Sequence, residues 1–219
     1  MVFIRIFLSV FALLVPVRLQ AGSEPLIRVA CVGDSITFGL NIPDREKSCY
    51  PAVLGSRLGP RYEVRNFGVS GATLLKKGDY PYWILPEFLA ALEYAPNVVV
   101  ILLGTNDSKM NNAPHRGDFE NDLGDLIDRF AALPTRPKIG IGTPPPLFGL
   151  FRSVHQIALE REIVPKVRNV AAARQIPVID LQIALSQSPE LFPDGCHPNA
   201  AGAQRIADAV YQSLAPFFQ

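Results

Sequence analysis

The chain has three imidazoles, His115, His155 and His197. A serine hydroxyl becomes a useful nucleophile only when such a base takes its proton and a third group orients that base. His115 lies in a polar loop (Asn-Asn-Ala-Pro-His-Arg) and His155 near a helix start, and both read as solvated or capping residues. His197 differs, because Asp194 precedes it by three residues in Phe-Pro-Asp-Gly-Cys-His-Pro-Asn. Within one tight turn that spacing can bring the carboxylate to one ring nitrogen while the other faces a cleft. Gly195 permits the turn, and Pro198 suits the first position of a following helix. The same residues would also serve as an ordinary Asp/Gly/Pro loop that does no more than start a helix. The first serine candidate is Ser35, in Gly-Asp-Ser-Ile-Thr directly after an apolar strand. There it would stand near a helix N-terminus whose N–H groups can face a developing oxyanion. The plainer reading is that Asp34 and Ser35 cap the turn. Ser70, in Gly-Val-Ser-Gly-Ala, is the rival, one residue short of the Gly-x-Ser-x-Gly nucleophile elbow, which the chain lacks.

These residues act together only if strands and helices converge them. Residues 27–32 (Ile-Arg-Val-Ala-Cys-Val) form a β-rich run ending at Gly33, followed by a polar loop and a helix over 50–58. The pattern continues with a strand at 62–66, a helix over 84–94 and a strand at 97–103 that is apolar on both faces. A helix over 119–133, a strand at 138–141, a helix over 156–174, a strand at 178–181 and a closing helix over 198–214 complete it. A strand buried on both sides implies a parallel sheet covered by helices. Strands alternating with helices at this spacing predict an α/β fold, a three-layer α/β/α sandwich with a parallel sheet of about five strands. Ligands of such sheets bind beyond the carboxyl ends of the strands. The polar clusters at 33–35, 68–73 and 104–107 follow the first three strands, and 194–197 precedes the last helix, so four clusters converge on one rim.

At 219 residues, 48% apolar and 19% charged, the chain is long enough for one substantial core. Twenty-one basic against twenty acidic residues leave a formal charge of +1, so the balance points away from nucleic acid and anionic membrane surfaces and toward a small or neutral partner. The N-terminus has a secretory pattern: a basic start, an apolar run at 6–17 and a small, polar stretch ending near Ala21. We expect a signal peptide at 1–21 and a single domain at 22–219, exported and without stable membrane insertion after cleavage. A retained anchor is the alternative, although the run is short for a bilayer and holds Pro16. Cys31, Cys49 and Cys196 have no metal-ligand spacing. Cys31 reads as a buried small hydrophobe, and export would permit a disulfide between Cys49 and Cys196.

Gly33-Asp34-Ser35, Asn66-Phe-Gly-Val-Ser-Gly71-Ala-Thr, Gly104-Thr-Asn106-Asp107 and Asp194-Gly-Cys-His197-Pro resemble, in order, the four blocks of GDSL/SGNH hydrolases, across essentially all of 22–219. Ile36 stands where the family name has leucine. The resemblance implies the flavodoxin-like sheet of the SGNH hydrolase fold and a carboxylic ester hydrolase that needs no cofactor and no metal. It implies Ser35 as nucleophile, His197 as general base and acid, and Asp194 as the group holding the imidazole. It implies an oxyanion hole made by the Ser35 N–H, the Gly71 N–H and the Asn106 side chain. Asp34 and Asp107 read as structural, bonding their own loops. The long second block together with the leader is most similar to exported carbohydrate O-acetylesterases, which implies deacetylation of a glycan or a sialic-acid-like sugar. A lysophospholipase, arylesterase or thioesterase of the same fold is the alternative. A carbohydrate-binding surface protein that keeps the fold without turnover is the reading from another class. Residues 76–83 and 143–155 should shape the pocket, with Trp83, Phe148 and Phe151 either stacking on ligand or packing their loops.

Overall fold

The computed structural model describes residues 25–149 and 154–218, so the expected leader, its anchor alternative and Phe151 lie outside the described residues. The first strand, β1 (Ile27–Gly33), runs into a single helical turn, α1 (Ser35–Phe38), where the sequence predicts a loop. Its cause is local. Asp34 Oδ1 accepts the Ile36 N–H at 2.9 Å, and Gly39 closes the turn in the left-handed region at φ 89°. Next come α2 (Arg45–Ser48), α3 (Tyr50–Leu58) and β2 (Tyr62–Gly68). The helix expected over 84–94 divides into a 3-10 turn at Tyr82–Ile84 and α4 (Pro86–Glu93), which starts on a proline whose missing N–H is not needed there. Then follow β3 (Val98–Leu102), α5 (Phe119–Ala131) and β4 (Lys138–Gly142).

The long helix expected over 156–174 is α6 (Val154–Ala158), a π-helical turn at Leu159–Ile163 and α7 (Val164–Arg174). Pro165 lies in the first turn of α7 and cannot donate to a regular ladder, and the turn before it widens. β5 (Val178–Ile179) is shorter than expected because Asp180 caps α8 (Leu181–Leu185), its Oδ1 accepting the Ile183 N–H at 3.1 Å. The last helix, α9 (Ala200–Ser213), starts after Pro198. Asn199 is its cap, with Oδ1 taking the Gly202 N–H at 2.9 Å.

The five strands pair in parallel in the order β2-β1-β3-β4-β5. Alternate residues of the two central strands divide between two cores. Ala30, Val32, Val99 and Ile101 pack with Phe88, Leu123 and Val167 of α4, α5 and α7. Val29, Cys31, Val98 and Val100 pack with Leu54, Leu181 and Ile206 of α3, α8 and α9. The result is the α/β/α sandwich that the two-faced apolar strands require. Between β1 and β3 the strand order reverses direction, which opens a crevice beyond their carboxyl ends.

Candidate active site

Ser35 is the first residue of α1, at the carboxyl end of β1. Its Oγ lies 3.0 Å from Nε2 of His197, and Nδ1 of His197 lies 2.7 Å from Asp194 Oδ2. The turn that presents the imidazole is tied at every residue. Asp194 Oδ1 accepts the N–H of Cys196 at 2.9 Å and of His197 at 2.7 Å, and Gly195 takes φ 82°. The Gly195 N–H donates to Phe192 O at 2.8 Å, and its carbonyl accepts the Phe148 N–H at 2.7 Å. Asn41 adds a donor to Asp194 Oδ2 at 3.2 Å, a contact without a sequence signal. Partial burial pushes the Asp194 carboxyl up, but the His197 N–H, the imidazole and the Cys196 N–H outweigh it and hold the group below its ordinary value. A carboxylate that stays ionised suits the orientation of an imidazole that must become cationic.

The rival serine has no such partner. Ser70 Oγ is buried without a hydrogen bond among the described residues, and it does not line the cavity beside Ser35. Gly71, next in the chain, does line it, at φ 87°. Space does not demand glycine there, since an added Cβ would meet only Tyr80 Cδ1 at 3.7 Å. The left-handed backbone does. Asn106 Nδ2 donates to Ala72 O at 3.0 Å, which fixes the amide plane and leaves its second hydrogen unspent.

Asp34 bonds its own loop, as expected, whereas Asp107 bonds chiefly the second loop. Its two oxygens accept the N–H groups of Leu74 at 3.1 Å and Leu75 at 2.8 Å, so the third loop holds the second. The third loop is in turn held by the buried Arg116 guanidinium, which donates to the carbonyls of Asp107 at 3.1 Å, Ser108 at 2.6 Å and Lys109 at 2.9 Å. Burial pushes the Asp107 carboxyl up to about 7 against the pull of the Leu75 and Leu74 N–H groups, with the nearby Asp34 charge adding to the rise. Burial likewise lifts Asp34 to about 6. Both are raised, so between the ordinary carboxylate range and these values the folded chain binds more protons than the unfolded one. Stability must therefore fall as pH rises through this window. Thermal unfolding measured from pH 5 to 8 should show a declining midpoint, and Asp107→Asn should flatten the decline while lowering the midpoint at pH 5. A wild-type midpoint rising across that range would contradict the burial of these two carboxylates.

The cavity over Ser35 measures about 560 Å3, within the range of small-molecule sites. Ser35, Gly71, Asn106 and His197 line it together with Thr105, Ser108, Lys109, Met110, Asn111, Leu40, Leu147, His155 and Cys196. No carboxylate lines it among the described residues. His155, expected to be solvated or a cap, is part of this wall, its Nδ1 3.4 Å from Ser108 O, whereas His115 is not. Lys109 and Met110 went unread in the sequence, although both lie within three residues of the third block. Trp83 and Phe148 pack their loops. Trp83 donates to Leu74 O at 2.7 Å and meets Phe88 edge-on, and Phe148 lies against Phe192 with ring centroids 5.2 Å apart. The disulfide that export would permit is not made. All three cysteines are free and buried, with Cys49 in the α3/α9 core and Cys196 in the α5/α7 core. Burial pushes the Cys196 thiol up to about 12, so no thiolate competes with Ser35. Among the described residues there is no cluster of ligands for a metal ion, and no helix is long and apolar enough to cross a membrane.

The strand order and the position of these loops are those of the SGNH hydrolase fold. A carbohydrate acetylesterase from Sinorhizobium meliloti superposes with a TM-score of 0.71 at 22% identity, over 87% of this chain and 99% of that one. The aryl esterase of M. smegmatis superposes with a TM-score of 0.70 at 21% identity, over 87% and 99%. Residues 31–205 match the model of the GDSL-like lipase/acylhydrolase family, and the chain belongs to that family. It is 39% identical to an acetylxylan esterase of Xylanibacter ruminicola over 90% of its own length and 45% of the relative's. It is also 23% identical to a multidomain esterase of Ruminococcus flavefaciens over 91% and 30%. The chain thus spans less than half the length of these curated relatives.

Proposed function

We propose that the protein is an exported serine ester hydrolase that removes short acyl groups, acetate first, from a carbohydrate. The observation that carries this reading is the contact chain from Ser35 Oγ through the His197 ring to Asp194, at 3.0 and 2.7 Å, opening on a cavity that Gly71 and Asn106 also line. Ser35 Oγ attacks the ester carbonyl while His197 Nε2 takes its proton, and Asp194 holds the opposite N–H and stabilises the imidazolium. The tetrahedral oxyanion is met by the N–H groups of Ser35 and Gly71 and by Asn106 Nδ2, donors held in place before the reaction begins. Collapse breaks the bond to the alcohol, which leaves with the proton from His197. Water then attacks the acyl carbon as it gives a proton to His197, and the bond to Ser35 Oγ breaks as His197 returns that proton to the serine oxygen and the acid leaves. These steps need no metal and no cofactor.

The acetylxylan esterase relative supports acetate and a saccharide, and the apolar run at 6–17 supports export of a working domain at 22–219. With p-nitrophenyl esters, kcat/KM for acetate should exceed that for octanoate by at least about tenfold, equivalent to about 1.4 kcal/mol. A steady preference for octanoate would replace the acetylesterase reading with a lipase-like one. Failure to hydrolyse any ester, with ligand saccharides still bound, would favour the non-catalytic alternative.

A further inference from the structure

Resting on the carbohydrate-ester reading, we propose that Tyr80, together with Lys109 and Asn111, forms a subsite for the saccharide ring that carries the ester. Tyr80 is 43% exposed, and among the described residues neither its hydroxyl nor its ring has a partner. Its neighbours are fixed. The Asp79 N–H donates to Asn112 Oδ1 at 2.8 Å, Asp79 Oδ1 accepts from Asn112 Nδ2 at 2.9 Å, and the Tyr80 carbonyl accepts the Thr73 N–H at 2.8 Å. Tyr82, two residues on, is fully buried with its hydroxyl on Phe67 O at 2.7 Å. An exposed aromatic on a backbone clamped on both sides gives a contact surface that loses little freedom when a ligand covers it.

Its location assigns the part of the substrate it would meet. Tyr80 Cδ1 stands 3.7 Å from where a side chain on Gly71 would begin, so the ring borders the glycine that faces the ester group. Lys109 joins this corner from the third loop, with Nζ 3.8 Å from Asp79 Oδ2. That separation is an ion pair but longer than a hydrogen bond, which leaves the ammonium donors for a ligand. Lys109 and Asn111 line the cavity and Asn111 adds an exposed amide, while Tyr80 stands just beyond that lining, at its Gly71 edge. A pyranose ring suits this set, since its C–H face covers an aromatic ring while its hydroxyls reach donors at the edge. A long acyl chain would leave Lys109 and Asn111 desolvated without partners.

Two measurements test the subsite. The ratio of kcat/KM for a methyl pyranoside acetate to that for ethyl acetate should fall about tenfold in Tyr80→Ala, chiefly through KM, and be kept within threefold in Tyr80→Phe. Lys109→Met should lower the same ratio by a smaller factor. In a Ser35→Ala background, where binding is read without turnover, Tyr80→Ala should weaken the pyranoside acetate by about the same tenfold. A ratio and an affinity both unchanged in Tyr80→Ala overturn the subsite. So does a loss at least as large when phenyl acetate replaces the pyranoside, which would make the corner an aryl site. If wild type cleaves none of these acetates, the esterase reading falls, and the binding arm still decides whether Tyr80 holds a sugar ring.

Discussion

Ser35→Ala is expected to reduce kcat on the order of 10^4-fold or more, to near the uncatalysed background, with the fold and thermal midpoint retained. On the proposed mechanism the substitution deletes the atom that forms the acyl bond, and a water placed in the gap lacks the geometry of a hydroxyl held 3.0 Å from His197 Nε2. Ser70→Ala should cost little, because the Ser70 hydroxyl is buried without a hydrogen bond and faces no histidine. Steady-state kinetics on p-nitrophenyl acetate separate the two. A serine-directed organophosphonate followed by mass spectrometry adds an independent reading, with label expected on wild type and Ser70→Ala and absent from Ser35→Ala. Label that survives in Ser35→Ala and disappears in Ser70→Ala would move the nucleophile to the second loop.

The second large effect belongs to Asn106. Asn106→Ala keeps Ser35, His197 and Asp194 but removes one proposed donor to the oxyanion, so kcat should drop about 100- to 1,000-fold, about 2.7 to 4 kcal/mol, with KM changed little. That split marks a group acting mainly in the transition state. The substitution also removes the 3.0 Å bond to Ala72 O, which helps to place the loop carrying Gly71. Asn106→Asp is the informative companion. Its carboxylate has the same shape but donates neither to the Ala72 carbonyl nor to the oxyanion and repels both, so its kcat should be no better than that of Asn106→Ala. An alanine variant that loses KM and keeps kcat would assign Asn106 to ground-state binding.

What the sequence makes legible has a common physical basis. Two-faced apolar strands such as Val98–Leu102 announce a covered parallel sheet, and the polar clusters stand directly at strand ends, so chain position alone delivers them to one rim. The bond between Asp194 and His197 is similarly local, three residues apart in a glycine turn. What pairs Ser35 with His197 is tertiary, 162 residues away in the chain, and only the family resemblance reaches it. The cavity wall is harder still. His155 belongs to the wall because α6 packs against the third loop, and Asn41 reaches Asp194 across 153 residues. Asp107 misleads because an aspartate after a strand ordinarily bonds its own turn, whereas here the neighbouring loop passes close enough to offer two N–H groups. α1 escapes detection because one turn of helix has no periodicity to read, and the break at Leu159–Ile163 because a proline near a helix midpoint does not reveal how the chain absorbs it.

On the proposed mechanism, the 162-residue separation of Ser35 and His197 along the chain sets when the nucleophile gains its base. The chain is synthesised from its N-terminus, so Ser35 emerges early, while His197 follows much later on the turn just before α9. Parallel sheets assemble through distant contacts and close late. On that reading a nascent chain carries a nucleophile with no base to activate it. Hydrolytic power would then arrive only when the 194–197 turn docks at the end of β1, which would make that closure the event that arms the site.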